Sequence, residues 1–77
     1  MSIFYNKVLK ECEVYLGVGA KRFLDRQIED HLFKKPEEVD SLDKMNMAKW
    51  IGISASLVLG GETGKILSKK IIALDSK

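Results

Sequence analysis

The chain has little of what staples and catalytic centres are made from: among 77 residues there is one cysteine, one proline, one histidine and one tryptophan. Cys12 alone cannot form an internal disulfide, and no Cys/His spacing suggests a metal staple. No Ser/His/Asp set is suggested around His31, no carboxylate pair falls on an apolar face, and so short a chain leaves little room for an ordinary ligand pocket. Neither an enzyme nor a cofactor or metal site is expected on these grounds. The longest apolar run, Met45 to Leu59, falls short of the about 20 residues a bilayer crossing needs, being interrupted by Lys49 and closed by Gly60-Gly61. The opening MSIFYNKVLKE lacks the basic stretch, apolar run and small-residue site of a signal peptide. Together with the unpaired thiol, this predicts a cytoplasmic protein.

What is present reads as one helical domain over residues 1–77. A 45% hydrophobic and 31% charged composition is that of a folded chain, not a disordered one. A domain of this size buries only about 60% of the surface its unfolded chain exposes, so without staples self-association is the remaining common way to gain burial. A homo-oligomer, as a two-fold dimer, is the expected state. Net charge is +2 but unevenly placed: residues 11–43 hold nine acids against five bases, and residues 44–77 six lysines against Glu62 and Asp75. A basic end suits an acidic or nucleic-acid partner; lysines near a helix C-terminus also complement its dipole and keep a small protein in solution.

Periodicity predicts four helices with short connections, a compact four-helix bundle carrying an extra helical turn near Pro36, with the third helix surrounded by the others. Ser2 caps a first helix whose apolar face is Phe4, Tyr5, Val8, Leu9, Cys12, Tyr15 and Leu16, and Gly17-Val18-Gly19 ends it. Cys12 on that face reads as a core filler. A second helix from Ala20 to Phe33 turns Ala20, Phe23, Leu24, Gln27, Ile28 and His31 inward. Gln27 and His31 are polar on an apolar face, so they must bond each other, a backbone carbonyl or an interface. Pro36 with Glu37 and Glu38 opens a short turn anchored by Val39, and Asp40 or Ser41 caps the third helix. A last helix from Glu62 or Thr63 presents Ile66, Leu67, Ile71 and Leu74.

The stretch MNMAKWIGISASLVL dominates the rest. Met47, Ala48, Ile51, Ala55, Val58 and Leu59 gather on one broad face, and Trp50, Ile53 and Leu57 form a second stripe at spacings of three and four. A helix apolar over two faces either lies in the middle of its domain or buries the second stripe against another chain. Trp50, Ile53 and Leu57, with Tyr15 at the edge, are therefore the candidate partner-binding residues, tryptophan and tyrosine being types that dominate interface energetics. The leading expectation is a non-catalytic, regulatory protein–protein interaction module that self-associates and binds an unidentified protein.

Three motifs bear on this expectation. Gly60-Gly61-Glu62-Thr63-Gly64-Lys65 fails as a phosphate-binding loop, because the first glycine would have to stand at Leu59, Ile66 replaces the metal-binding hydroxyl and no strand precedes it; these glycines read as a helix stop and turn. Ala48, Gly52 and Val58 stand at the positions that resemble the helix-turn-helix signature of DNA-binding domains. That resemblance implies a turn at Gly52, a recognition helix from Ser54, and a DNA-binding alternative resting on Lys49, Ser54, Ser56 and Lys65. Residues 54–59 hold no Arg, Lys, Asn or Gln to reach base edges. Finally, the succession Tyr15-Leu16-Gly17, Phe23-Leu24-Asp25-Arg26-Gln27, Pro36-Glu37-Glu38, an apolar helix and a Gly-Glu break resembles small helical modules attached to bacterial signalling proteins. This implies a non-catalytic signalling role.

Overall fold

The computed structural model describes residues 2–74, and among these no strand occurs. Helix α1 spans Ile3–Leu16. The Ser2 hydroxyl accepts the Tyr5 N–H at 3.0 Å and donates to the carbonyl of Val39, so the cap of α1 also ties down the segment after Pro36. Phe4, Tyr5, Val8 and Cys12 are buried, the i, i+4 face expected of an amphipathic helix. Gly17 ends α1 at φ +60, where a Cβ would be strained, and its N–H reaches the carbonyl of Glu13.

Gly17–Gly19 then form a 3-10 turn, α2 follows at Ala20–Gln27, and α2 widens into a π turn over Ile28–Leu32. Helical elements thus follow one another directly from Ile3 to Leu32, with the chain turned at Gly17. The expected four-helix bundle is corrected to an all-α fold of three long helical stretches, because the Gly-Val-Gly segment turns the chain by a tight helical turn and not by a loop. Phe33 closes the π turn at φ +55, a left-handed conformation that suits glycine or asparagine, with its ring 86% exposed.

The link to the next helix is held by local polar contacts. Glu38 Oε1 accepts the Lys35 N–H at 2.8 Å across the turn Pro36–Glu38, and Val39 is buried behind it. Asp40 accepts the Leu42 N–H at 2.9 Å while Asp43 accepts the Asp40 N–H at 3.1 Å, a reciprocal box that opens the turn Ser41–Asp43 and runs into α3, Lys44–Leu59. Asp43 is buried but paired with Lys34 at 3.0 Å, and that bond raises the lysine's pKa.

Gly60, at φ +101, reverses the chain into α4, Gly61–Ile72. α3 and α4 form an antiparallel hairpin and are the most extensively packed pair in the molecule. Gly52 and Ser56 of α3 meet Gly64 and Ser68 of α4, the glycine of each helix opposite the serine of the other. A Cβ on Gly64 would stand 2.6 Å from the Gly52 carbonyl oxygen and 2.8 Å from the Ser56 nitrogen, nearer still to Ser56 Oγ. The Lys44 ammonium donates to the Leu74 carbonyl at 2.6 Å and closes the open end of the hairpin. Gly64, read from the sequence as part of a turn, is instead a helix-packing glycine.

The core combines Leu24 and Ile28 with Met47, Ile51, Leu67 and Ile71 and with the buried face of α1. α3 is not surrounded: its side opposite the core faces solvent. Val58 and Ile66, expected inside, are 66% and 47% exposed: Val58 follows Ala55, the last buried residue of α3, and Ile66, next to the fully buried Leu67, is turned away from the core.

Gly64→Ala is expected to destabilise the fold by about 3 kcal/mol or more, because backbone and not a flexible side chain blocks the added methyl. Gly61→Ala, with open space around it and no positive φ, is expected to stabilise by about 0.5–1 kcal/mol. Phe33→Gly relieves a left-handed phenylalanine and is expected to be stabilising by up to about 1 kcal/mol. Urea denaturation of the three variants checks all three values.

Candidate functional site

The most distinctive surface is built around the outer side of α3. Ile53 is 47% exposed, Leu57 85% and Met45 64%, while the opposite side of the same helix contributes Met47, Ala48, Ile51 and Ala55 to the core. Lys49 projects from the outer side with its ammonium 5.2 Å from the centre of the Trp50 ring. Trp50 is half-buried at the boundary with the π turn, where its ring stacks on His31 with centroids 3.9 Å apart and planes 2° from parallel.

One turn along, the Ser54 hydroxyl donates to Gln27 Oε1 at 2.8 Å. The two polar residues that stood out on the apolar face of α2 therefore both engage α3 and not each other. Among the described residues Trp50 finds no acceptor for its indole N–H, and no buried side-chain nitrogen or oxygen lacks a partner, so that N–H lies at the surface.

On the other flank of the stripe a shallow groove of about 250 Å³ runs over the α3–α4 crossing. Its floor is Gly52, Ser56, Gly64 and Ser68, and its walls are Lys49, Ile53 and Lys65. The groove exists because the floor residues are too small to fill it. Ser56 donates to the Gly52 carbonyl at 2.7 Å, which keeps its hydroxyl folded onto its own helix.

Of the expected partner-binding residues, Trp50, Ile53 and Leu57 share this face. Tyr15 lies half-buried on α1, where the sequence put it, and among the described residues shares no ring contact or hydrogen bond with the stripe. Of the residues expected for DNA binding, Lys49 and Lys65 flank the groove, Ser54 is engaged by Gln27, and Ser56 is engaged by its own helix. α3 is continuous from Lys44 to Leu59, so Gly52 makes no turn and no separate recognition helix begins at Ser54. The sequence reading missed the His31–Trp50 stack and the groove. The repeated Gly-x-x-x-Ser spacing at 52/56 and 64/68 is the signal that could have found the groove.

Elsewhere, Tyr5 donates to Asp25, which also accepts Lys21 at 2.7 Å, so that α1 and α2 are joined by a phenol, a carboxylate and an ammonium. Burial, then the Asp25 carboxylate, pushes the Tyr5 phenol up to about 12. Burial does the same to the Cys12 thiol, also to about 12, with Glu11 and Glu13 adding to it. Among the described residues no group of three or more His, Cys, Asp and Glu side chains could hold a metal ion, and no helix is long and apolar enough to cross a membrane.

Both groups ionise at lower pH in the unfolded chain than in the fold. The unfolded state therefore loses the protons of Tyr5 and Cys12 first, so what these two groups contribute to stability is complete below about pH 8 and is lost as pH rises towards about 12. The urea midpoint is expected to drop between about pH 8 and about pH 11, less so in Cys12→Ala, and the native thiol should react with an aromatic disulfide reagent only as the protein unfolds.

Comparison with protein-family models, with curated proteins and with solved structures returned no match.

Proposed function

We propose that this chain is a non-catalytic protein–protein interaction or regulatory module that self-associates through the outer face of α3. The observation that carries the reading is the position of Ile53 and Leu57: one turn apart, both exposed, on the helix whose other face supplies much of the core. Single exposed apolar residues are ordinary; an aligned stripe ending in a half-buried tryptophan is the pattern of an interface centre. The bacterial signalling modules that the chain resembles would use such a face in the same non-catalytic way. A cytoplasmic setting belongs to the same proposal and is supported by the single, unpaired and buried thiol.

Sedimentation equilibrium at two salt concentrations tests it. A dimer is expected at both, because the contact is chiefly apolar, and the pair Ile53→Ser and Leu57→Ser should give a monomer of unchanged helical content. A wild-type monomer at every concentration would overturn the reading. Binding to mixed genomic DNA that fades with salt and is lost when Lys49 and Lys65 are neutralised would favour the DNA-binding alternative instead.

A further inference from the structure

Positive charge is left over on the outer side of the α3–α4 hairpin. Residues 44–74 carry five lysines against Glu62 alone. Lys44 donates to the Leu74 carbonyl, and Lys49 holds its ammonium 5.2 Å from the centre of the Trp50 ring, which offers no negative charge. Lys65 and Lys69, one turn apart on α4 and exposed, meet no carboxylate among the described residues. Lys21 and Lys34, by contrast, are paired with Asp25 and Asp43.

These lysines border the groove over the α3–α4 crossing. Lys49 and Ile53 of α3 form one wall and Lys65 of α4 the other, above a floor of glycine and serine. Helical spacing lengthens both walls: Met45 stands one turn before Lys49, and Lys69 and Ile72 stand four and seven residues after Lys65. From Met45 to Ser56 the trough is about 17 Å long, three helical turns at about 1.5 Å per residue. A bilayer takes up apolar side chains that stand proud of a face; on these walls Met45 alone is more than half exposed, and the floor between them is hollow. Nucleic acid is held by arginine, asparagine, glutamine and stacked aromatic rings, and none of these lines the groove. A helix with a narrow ridge and a carboxylate on each flank matches floor and walls together, as small or aliphatic a and d positions bordered by charged e and g positions do in helix pairs.

We infer that the groove over the α3–α4 crossing docks an acidic amphipathic helix of another protein. The ridge of that helix, built of small or aliphatic side chains, lies over Gly52, Ser56, Gly64 and Ser68, which are small enough to let its backbone come close. Its carboxylates pair with Lys49 on one side and with Lys65 and Lys69 on the other, and Ile53 packs against its apolar edge. The groove lies on the other flank of α3 from Leu57, and Ile53 is the one side chain it shares with the exposed stripe. This site therefore adds to the self-association proposed above and does not rest on it.

The probe is a displayed library of helical peptides of about 18 residues, five turns, with small and aliphatic residues fixed along one face and Glu, Gln, Lys or Ala varied on both flanks. Panned against the wild-type chain, it is expected to yield peptides with Glu on both flanks. The best of them, labelled with fluorescein, is expected to bind the double variant Lys49→Glu, Lys65→Glu at least about tenfold more weakly in anisotropy. Both changes are at exposed positions, so helical content should be unchanged. Replacing the flanking Glu of the peptide by Lys should restore binding to that variant, which a damaged fold could not do. Selection without enrichment of Glu, no selection at all, or binding indifferent to the double reversal would overturn the inference. Tighter binding to phosphatidylserine–phosphatidylcholine vesicles or to mixed genomic DNA than to any peptide would overturn it too, in favour of a membrane or a nucleic acid.

Discussion

The approach of α3 to α4 is the constraint on which the rest of the molecule depends. With Gly52 and Ser56 set against Gly64 and Ser68, the helix backbones come close enough that a single methyl at Gly64 would collide with main-chain atoms. That strip of α3 can therefore carry no bulk. Its large side chains are forced onto the remaining two sides, Met47 and Ile51 towards α2 and α1, and Ile53 and Leu57 away from them. A helix with a small-residue seam and two apolar flanks has more greasy surface than a three-stretch fold of this size can cover. The exposed stripe is a consequence of how the hairpin closes.

The joint between α2 and α3 shows the same economy with polar groups. Gln27 and His31 occupy positions that an all-apolar face would give to leucine, yet each meets a partner of matching chemistry: a serine hydroxyl at 2.8 Å, and an indole plane 3.9 Å away between centroids. A hydroxyl that donates to an amide oxygen costs little to bury, and it is directional where leucine is not. The π turn at Ile28–Leu32 changes the angular offset between Gln27 and His31, and both still reach α3. Side-chain register between the two helices is thus set by hydrogen bonding and stacking as much as by packing.

The helices, their caps and most of the core were legible in the sequence because they follow from local chemistry: Ser2 as a cap, the i, i+4 faces, glycine after a last turn, Asp40 ahead of a helix. Where the reading failed, the cause was tertiary. Gly64 sits beside Gly60-Gly61 and shares their residue type, but turn glycine and packing glycine are separated by what lies opposite, which is fixed only once α4 folds back on α3. Gly52 invited a helix-turn-helix turn for the same reason. Periodicity turns Val58 and Ile66 inward, but it gives neither how far the core extends along α3 nor how narrow an arc of α4 the core covers. Conversely, the stripe of Trp50, Ile53 and Leu57 was visible because two apolar faces on one helix can be counted without knowing the partner.

Fold and proposed function meet in the energetics of so small a chain. No disulfide is possible with Cys12 alone, and no group of described side chains is arranged to hold a metal. Stability must then come from burial, and among the described residues the face on which Leu57 stands 85% exposed is a reserve of unburied apolar surface. Fully burying a leucine side chain contributes about 1.5–3 kcal/mol, a large fraction of the margin available to a domain of this length. Binding that occurs only in the folded state raises stability by mass action. A second copy on this face would therefore act as the staple the sequence lacks, with folding and association strengthening one another as concentration rises. Any partner that displaced the second copy would have to replace that contribution, which makes the outer face of α3 the natural point at which another protein could regulate the assembly.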